Sequence, residues 1–272
     1  MVSLIDKLHS MMPKKDELDK WQRVLIRGKM GHELTKSDIH SYYENPKIKK
    51  AILREVGTNP VWVRQQVDGS SKGILKRYVS GTVEPIKFLQ SGNDVNDPTD
   101  FSYYTNRRMT ELHEVHGPIV TKYVVDMDPG SRVDEKSKKS YTQAISDLMA
   151  TLPEVKNVRV RFSAGKKGGF YVEGFLKKPM DIDTARFNLE QMLVPIADQN
   201  KAFTMGMPKE NQIRLDISTY HVNGSVKAPY SLDSMTGLVS IPVDDLPNFD
   251  ERQALPHNVL GGKITPQTRL KE

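Results

Sequence analysis

The sequence predicts an α+β fold, with a mixed or antiparallel central sheet, flanking helices and an N-terminal region of helices and a β-meander. Segments with apolar residues at helical spacing occur along the chain between short runs that alternate apolar and polar residues, and turns rich in glycine separate these runs. Of the 272 residues 37% are hydrophobic and 27% charged, the balance of an ordinary globular protein. We expect a single domain over residues 1–272.

The N-terminal region, residues 1–115, is predicted to be helical at first and then to form the meander. Apolar residues have helical spacing in residues 16–27, and a second helical region is bent or broken at Pro46. A further helix is predicted from "DFSYYTNRRMTELHEV". The meander is predicted from the runs "PVWVRQQV", "ILKRYV" and "PIKFLQ".

The middle region, residues 116–245, carries the motifs discussed below. Helices are predicted near residues 135–151 and 183–197, and the strands "VKNVRVRFS" and "FYVEGFL" form a hairpin around the turn "AGKKGG". The alternation in this hairpin predicts one face of basic side chains and a basic tip. The last residues, 246–272, are predicted to be an extended tail.

Composition excludes several kinds of site. The sequence contains no cysteine, which excludes disulfides and thiol nucleophiles, so any metal must be held by oxygen or imidazole and no zinc is expected. The net charge of +6 is modest. No run approaches the roughly 18 apolar residues of a membrane span. Charged residues also interrupt the apolar positions of the N-terminal segment too early for a secretion signal. We therefore expect a cytoplasmic protein without a membrane partner.

Two aspartates end the apolar run "VVDMDPG". In an extended chain, Asp126 and Asp128 project from the same face, where their charges repel unless a cation lies between them. An alternative is a simple turn at the end of a strand, since Asp, Pro and Gly all favour turns. Asp216, in "NQIRLDIS", lies on the polar side of another alternating strand. If the two strands pair, the carboxylates can hold Mg²⁺ or Mn²⁺.

A second pattern, "SAGKKGGF", is typical of an anion-binding loop. Its glycines let backbone amides approach a phosphate, while Ser163, Lys166 and Lys167 supply a hydroxyl and two cations. The alternative is a solvated hairpin tip. It is not a P-loop, because no Ser or Thr follows a Gly-Lys pair.

Taken in order, "ELH", "VVDMDPG", "FSAGKKGGFYV", "IRLDIS" and "KAPYSLDSMTGLVSIPV" resemble the successive motifs of the archaeo-eukaryotic primase superfamily. The likeness is greatest to the polymerase domain of bacterial ligase D and its stand-alone archaeal relatives in DNA end joining. With "LTKSDIHSYYENP" and "VWVRQQVDG", it extends from about residue 34 to about residue 245. The resemblance implies the primase-polymerase catalytic fold.

The resemblance also implies roles for individual residues. Asp126, Asp128 and Asp216 match the metal-binding catalytic carboxylates of the family. The residues that match its binding site for the incoming nucleotide are His113, Ser163, Gly165, Lys166, Lys167, Lys227 and Ser231. Two positions depart from the pattern, because Phe170 stands where the family has histidine and Asp233 where it has histidine or arginine. We expect weaker triphosphate binding, since an acid repels phosphate.

The sequence therefore predicts a template-directed nucleotidyltransferase that uses Mg²⁺ or Mn²⁺ and fills gaps or extends ends during non-homologous end joining. Its expected partners are gapped or broken DNA, nucleoside triphosphates, a DNA ligase and an end-binding protein. The basic hairpin and the N-terminal lysines are the predicted contacts to DNA phosphates. The alternatives are a primase of a replicon or mobile element that starts chains de novo, and a non-catalytic nucleic-acid-binding derivative.

Overall fold

The computed structural model describes residues 41–43, 45–56, 61–67, 74–78, 107–222, 224–233 and 236–261. The helix predicted over residues 16–27, the run "PIKFLQ" and residues 262–272 of the predicted tail lie outside these ranges. None of the helices within them is long and apolar enough to cross a membrane.

Helices and strands are interspersed along the described part of the chain. In chain order they are α1 (Pro46–Val56), β1 (Val61–Val67), β2 (Ile74–Tyr78), β3 (Arg107–Val115), β4 (Ile119–Pro129), α2 (Glu135–Ala150), β5 (Val155–Phe162), β6 (Phe170–Asp181), α3 (Ile182–Gln199), β7 (Phe203–Thr204), β8 (Ile213–Asp216), β9 (Ser225–Lys227), β10 (Pro242–Val243), a 3₁₀ turn (Glu251–Ala254) and α4 (Pro256–Val259).

The strands form two sheets. The larger sheet has the order β10-β5-β6-β4-β8-β7 and the smaller sheet the order β2-β1-β3-β9. Only the β7–β8 pair is parallel among the strand pairs of the described residues. This arrangement confirms the predicted α+β fold with a mixed central sheet, and it places β4 in the middle of the larger sheet, between β6 and β8.

The two faces of the larger sheet differ in polarity. The apolar face is covered by α2 and α3, and α2 buries Ile145 and Met149 there. The approach is close, because a Cβ on Gly174 of β6 would lie 2.5 Å from Sδ of Met149. The other face carries charged side chains and is turned toward the smaller sheet, as Nζ of Lys122 donates to Oε2 of Glu114 on β3 at 2.6 Å.

Helix α1 begins at Pro46, so the predicted break at this proline is confirmed. Oδ1 of Asn45 accepts a hydrogen bond from the N–H of Lys47 at 2.9 Å and caps the helix. Proline suits the first position, where its missing N–H would have had no helical partner. Ile48 and Ile52 bury one side of α1 in the core.

The helix predicted from "DFSYYTNRRMTELHEV" is wrong over residues 107–115, because β3 spans Arg107–Val115, while residues 100–106 lie outside the described ranges. Its Glu, Leu, Met and Arg residues favour a helix. However, β3 lies between β1 and β9 and pairs with both, which places Leu112 opposite Val63 and His113 opposite Lys227. The hydrogen bonds of these two ladders outweigh the local preference.

The prediction of an extended tail from residue 246 is also wrong as far as residue 261. This segment folds back and its apolar side chains join the core, with the ring centroid of Phe249 5.0 Å from that of Phe162. Its proline and glycine residues had suggested a tail, but Pro256 instead begins α4. The buried residues of the segment are Leu246, Phe249, Ala254 and Val259.

Candidate active site

Three aspartates meet on the polar face of the larger sheet. Asp126 and Asp128 lie two residues apart on β4, and Asp216 is the last residue of β8. In the antiparallel β4–β8 pair, Asp126 stands directly opposite Asp216 and Asp128 stands opposite Arg214. Opposite residues of such a pair have Cβ atoms about 4.5–5.5 Å apart. The carboxylates therefore form one acidic patch, although Asp216 is remote from the other two in sequence.

The alternation of the two strands explains how the carboxylates reach this face. Met127 of β4 and Leu215 of β8 are opposite each other and buried on the apolar side, so their neighbours project to the polar side. The Pro-Gly pair then ends β4 against a neighbouring segment. The N–H of Gly130 donates to the carbonyl of Gln212 at 2.7 Å, and a Cβ at this glycine would lie 2.1 Å from the carbonyl oxygen of Lys209. The segment "VVDMDPG" thus has both features that the sequence suggested, a turn at the end of the strand and two carboxylates on one face.

The electrostatics of the patch fit a bound cation. Burial raises the pKa of Asp126 well above its ordinary value, and the charges of Asp128 and Asp216 raise it further, against an opposing effect of Lys227. Burial and Asp216 likewise raise the pKa of Asp128, while Lys167 lowers it. A divalent cation would relieve this repulsion, and carboxylate oxygens are donors that Mg²⁺ and Mn²⁺ prefer.

Arg214 supplies a positive charge inside the patch. Its Nη1 lies 2.9 Å from Oδ2 of Asp216, whose Oδ1 accepts a hydrogen bond from the N–H of Ser218 at 2.8 Å. Nε of Arg214 is buried and has no hydrogen-bond partner among the described residues. Within the same part of the chain, no three His, Asp or Glu side chains form a ready-made metal site. A cation bound at Asp216 would therefore compete with the guanidinium of Arg214 for this carboxylate.

The loop of the β5–β6 hairpin, residues 163–169, is the predicted glycine-rich turn. The N–H of Gly168 donates to the carbonyl of Gly165 at 2.9 Å and closes a turn with Lys166 and Lys167 at its corners. Both lysines are exposed. Gly168 has φ 63°, a left-handed conformation that glycine adopts without strain.

This loop is packed against the strand that carries two of the aspartates. A Cβ on Gly169 would lie 2.5 Å from the carbonyl oxygen of Met127 and 3.5 Å from Oγ of Ser163. The same Oγ lies 3.4 Å from the N–H of Gly165, which donates to it. Since Lys167 also lowers the pKa of Asp128, the loop and the carboxylates form one site.

Lys227 and His113 face each other on β9 and β3. Nζ of Lys227 donates to the carbonyl of Ser163 at 3.2 Å, forms an ion pair with Asp233 and lies 4.0 Å from Oε1 of Glu111. Nε2 of His113 lies 2.9 Å from Oε2 of Glu111, while its buried Nδ1 has no hydrogen-bond partner in the described ranges. Carboxylates thus already contact both of these side chains, and His113 lies on a strand rather than on the predicted helix.

Ser231 has a different environment from the one expected of a phosphate ligand. It is fully buried, and its Oγ accepts a hydrogen bond from the N–H of Leu112 at 2.7 Å and donates to the carbonyl of Leu232 at 3.1 Å. Its hydroxyl therefore joins β3 to the segment after β9 and is not presented to the site.

Phe170 is a core residue. Its ring centroid lies 5.8 Å from that of Phe162 and 5.8 Å from that of Phe249, and it stands opposite the buried Met127. The next residue, Tyr171, stands opposite Asp126 and so projects to the polar face. The interpretation of Phe170 as the replacement of a phosphate-binding histidine stays a prediction, and its ring points to the core, away from the polar face.

The basic face predicted for the hairpin is not a solvent-exposed surface. Arg161 is completely buried, its Nη2 lies 3.1 Å from Oε1 of Glu173, and Nη2 of Arg159 lies 2.6 Å from Oε2 of the same glutamate. Arg159 also pairs with Glu55 of α1 at 2.8 Å. These arginines hold the larger sheet to the elements packed on its polar face and are not free to contact DNA.

Comparisons with known proteins give a match at the level of the fold. No protein-family model matches the sequence, and no curated protein sequence does. The structure is similar to the polymerase domain of ligase D from Mycobacterium tuberculosis, solved in complex with DNA, with a TM-score of 0.61 and 17% identity over 85% of this chain and 90% of that one. The fold is thus similar to that of this polymerase domain, as the resemblance in sequence implied.

Sequence reasoning left several residues near the site without a role. Tyr171 lies beside Asp126 with the guanidinium of Arg161 4.2 Å from its ring centroid. Glu173 interrupts the apolar strand "FYVEGFL", and Lys138 occupies the first position of the buried stripe of α2. A charged residue in an otherwise apolar pattern is the signal that could have found the last two.

Proposed function

We propose that this chain is a template-directed nucleotidyltransferase of the primase-polymerase type, acting at gaps and ends of broken DNA. The observation that carries the proposal is the register of β4 and β8, which sets Asp126 opposite Asp216 with Asp128 beside them. The lysine-bearing loop lies next to this patch, where a triphosphate needs positive charge. The likeness in fold to a polymerase domain bound to DNA supports a nucleic acid substrate.

In the proposed reaction, the 3′-hydroxyl oxygen of a primer attacks the α-phosphorus of a nucleoside triphosphate. A phosphorus–oxygen bond forms to the primer, and the bond from the α-phosphorus to the oxygen that bridges it to the β-phosphate breaks. Pyrophosphate leaves, and the hydroxyl proton passes to solvent. Two divalent ions, when bound, neutralise the charge on the attacking and leaving oxygens.

The residues of the chain have separate roles in this proposal. Asp126, Asp128 and Asp216 hold the ions with their carboxylate oxygens. Lys167 binds the phosphates together with amides of the loop other than those of Gly165 and Gly168, which already donate within it, because glycines allow the backbone to approach an anion closely. We extend the proposal to end joining, with a DNA ligase and an end-binding protein as the expected partners.

The test is nucleotide incorporation on a gapped duplex with Mn²⁺, with ribonucleotides and deoxyribonucleotides assayed in parallel. The triple variant Asp126→Ala, Asp128→Ala, Asp216→Ala is expected to lose incorporation, whereas Asp147→Ala, an exposed position on α2, is expected to keep it. Full activity of the triple variant would reject the assignment. A single-stranded template without primer is the second arm, and products there would favour a de novo primase.

A non-catalytic nucleic-acid-binding protein is the second candidate function. The observation in its favour is that internal partners already hold two groups of the site, since Asp233 pairs with Lys227 and Arg214 pairs with Asp216. Calorimetry with a nucleoside triphosphate and Mn²⁺ separates the two functions. A protein that binds gapped DNA and no nucleotide supports this second candidate.

A further inference from the structure

A buried lysine of α2 reaches the loop beside the acidic patch. Lys138 is only 7% exposed, and its Nζ donates to the carbonyl of Lys167 at 2.8 Å and to Oε1 of Glu135 at 2.5 Å. The buried residues of this helix are Lys138, Thr142, Ile145 and Met149, so the lysine occupies the first position of a stripe that packs on the sheet.

An ammonium at such a position is costly unless it is paired and hydrogen-bonded, because burial disfavours a charged group. Glu135 supplies the counter-charge from the surface of the helix. The remaining contact, with the carbonyl of Lys167, joins α2 to the corner of the turn that holds the two exposed lysines. We therefore attribute the lysine at this buried position to its hydrogen bond with the loop.

The loop is fixed from three sides. Nζ of Lys227 holds the carbonyl of Ser163, and Oγ1 of Thr236 donates to the carbonyl of Ala164 at 2.6 Å. Ala164 has φ 61°, a conformation that non-glycine residues rarely adopt. The contacts on this side of the loop must therefore hold the backbone in place. Among the described residues, Lys138 is the side chain that holds the opposite side, next to Lys167.

We propose that Lys138 is a positioning residue for the nucleotide, acting through the loop and not by touching the substrate. This inference rests on the proposed function. By fixing the carbonyl of Lys167, it sets the course of the backbone at this corner, and so where the ammonium of Lys167 stands relative to Asp128. A group held in place before binding costs less to order when the triphosphate arrives.

The test compares Lys138→Met with Lys139→Met. Methionine keeps an unbranched apolar side chain and suits a buried helical stripe, so thermal stability is expected to be kept. Lys139 is the matched control, because it lies on the same helix and its Nζ donates to the carbonyls of Pro247 and Phe249, away from the loop. Each variant removes one positive charge.

Calorimetry with a non-hydrolysable nucleoside triphosphate and Mn²⁺ is expected to show roughly tenfold weaker binding for Lys138→Met, or about 1.4 kcal/mol, and little change for Lys139→Met. Amide hydrogen exchange of residues 165–169 is expected to rise in Lys138→Met alone. In the incorporation assay, KM for nucleotide is expected to rise with kcat kept, the pattern of lost uniform binding.

Three outcomes would overturn the inference. Equal affinities of the two variants, with nucleotide bound by the wild type, overturn it and leave the proposed function in place. Equal exchange in the loop overturns it as well. A wild-type protein that binds no triphosphate overturns the proposed function, and this inference with it.

Discussion

Arg214 and Asp233 each place a fixed charge where a metal–nucleotide complex would need the opposite one. Arg214 neutralises a carboxylate that a cation would bind, and Asp233 neutralises Lys227, which lies beside the glycine-rich loop. Both contacts are internal ion pairs that a ligand must compete with. The free energy of ligand binding is thus reduced by the free energy of separating each pair.

We expect Arg214→Gln to bind Mn²⁺ about fivefold more tightly, because the acidic patch loses a competing positive charge. The measurement is a Mn²⁺ titration followed by electron paramagnetic resonance, in the absence of nucleotide. Arg132→Gln is the control, since Arg132 forms an exposed pair with Glu210 and has no contact with the three aspartates among the described residues. Unchanged or weaker binding in Arg214→Gln would contradict the competition.

Asp233→Asn is expected to bind a nucleoside triphosphate roughly fivefold more tightly, because Lys227 is no longer neutralised. Asparagine keeps an oxygen that can accept the hydrogen bond now made by the N–H of Thr236 at 2.9 Å, so the turn is expected to survive. Calorimetry measures the change, with Asp147→Asn on α2 as a control of equal charge. Weaker binding in Asp233→Asn would show that the ion pair holds Lys227 in a useful position.

At the scale of the elements, a buried charge network joins the larger sheet to its neighbours. Glu173 of β6 is completely buried and contacts Arg159, Arg161 and, at 3.7 Å, Lys122. Lys122 in turn contacts Glu114 of the smaller sheet. The network lies on the same face as the aspartates, so it fixes the position of the smaller sheet relative to them.

We expect Glu173→Gln to lower the free energy of unfolding by about 3–5 kcal/mol, because it leaves buried cations without their shared counter-charge. Glu190→Gln is the matched control, since Glu190 pairs with Arg186 on the surface of α3, where such pairs contribute only about 0.3–0.5 kcal/mol. Urea denaturation of both variants measures the difference. A small loss in Glu173→Gln would mean that the arginines find other partners.

The same network predicts a dependence on pH. Burial alone would raise the pKa of Glu173, but Arg161, Lys122 and Arg159 more than offset it and hold the pKa well below its ordinary value of 4.5. The folded protein therefore binds fewer protons at this site than the unfolded chain. Its contribution to stability is present above pH 4.5 and declines as the pH falls below that value. Urea denaturation should show a steeper acid loss for the wild type than for Glu173→Gln.

Strand alternation is what made β4, β5 and β8 predictable from the sequence. A period of two assigns residues to opposite faces, so the common face of Asp126 and Asp128 and the polar side of the strand of Asp216 followed directly, and the resemblance implied that all three belong to one site. Alternation does not say what covers a face. The basic stripe of β5 therefore could not be recognised as buried, because its partner Glu173 lies on another strand and is brought there by pairing.

Residues whose environment depends on tertiary contacts were the ones that the sequence could not place. The helical preference of residues 107–115 was overridden by pairing with strands on both sides. Ser231 matched a motif by its position and Phe170 departed from one. The direction of each side chain, however, depends on the turn and the strand register around it. Motif order selected residues that the fold brings close together, while the direction of each side chain required the structure.

For the whole molecule, the positive charge of the hairpin is divided between its two ends. Arg159 and Arg161 in the middle are paired internally. The exposed lysines that remain are Lys166 and Lys167 at the tip and, at the far end of the hairpin, Lys156 of β5 and the pair Lys177 and Lys178 of β6. At about 3.3 Å per residue along the strand, the two lysine pairs are on the order of 20 Å apart. Only the tip lies beside the acidic patch.

This division predicts which lysines contact DNA that enters the site. Each phosphate contact contributes about 0.9 to the slope of log K against log salt for duplex DNA. The double variant Lys166→Ala, Lys167→Ala should therefore reduce the slope by up to about 1.8 and weaken binding to a gapped duplex, since a primer end at the aspartates passes the tip. Lys177→Ala, Lys178→Ala removes the same charge and should leave the slope unchanged. Fluorescence anisotropy over a range of salt concentrations measures both, and a larger effect of the second variant would place the DNA on the opposite end of the hairpin, away from the proposed site.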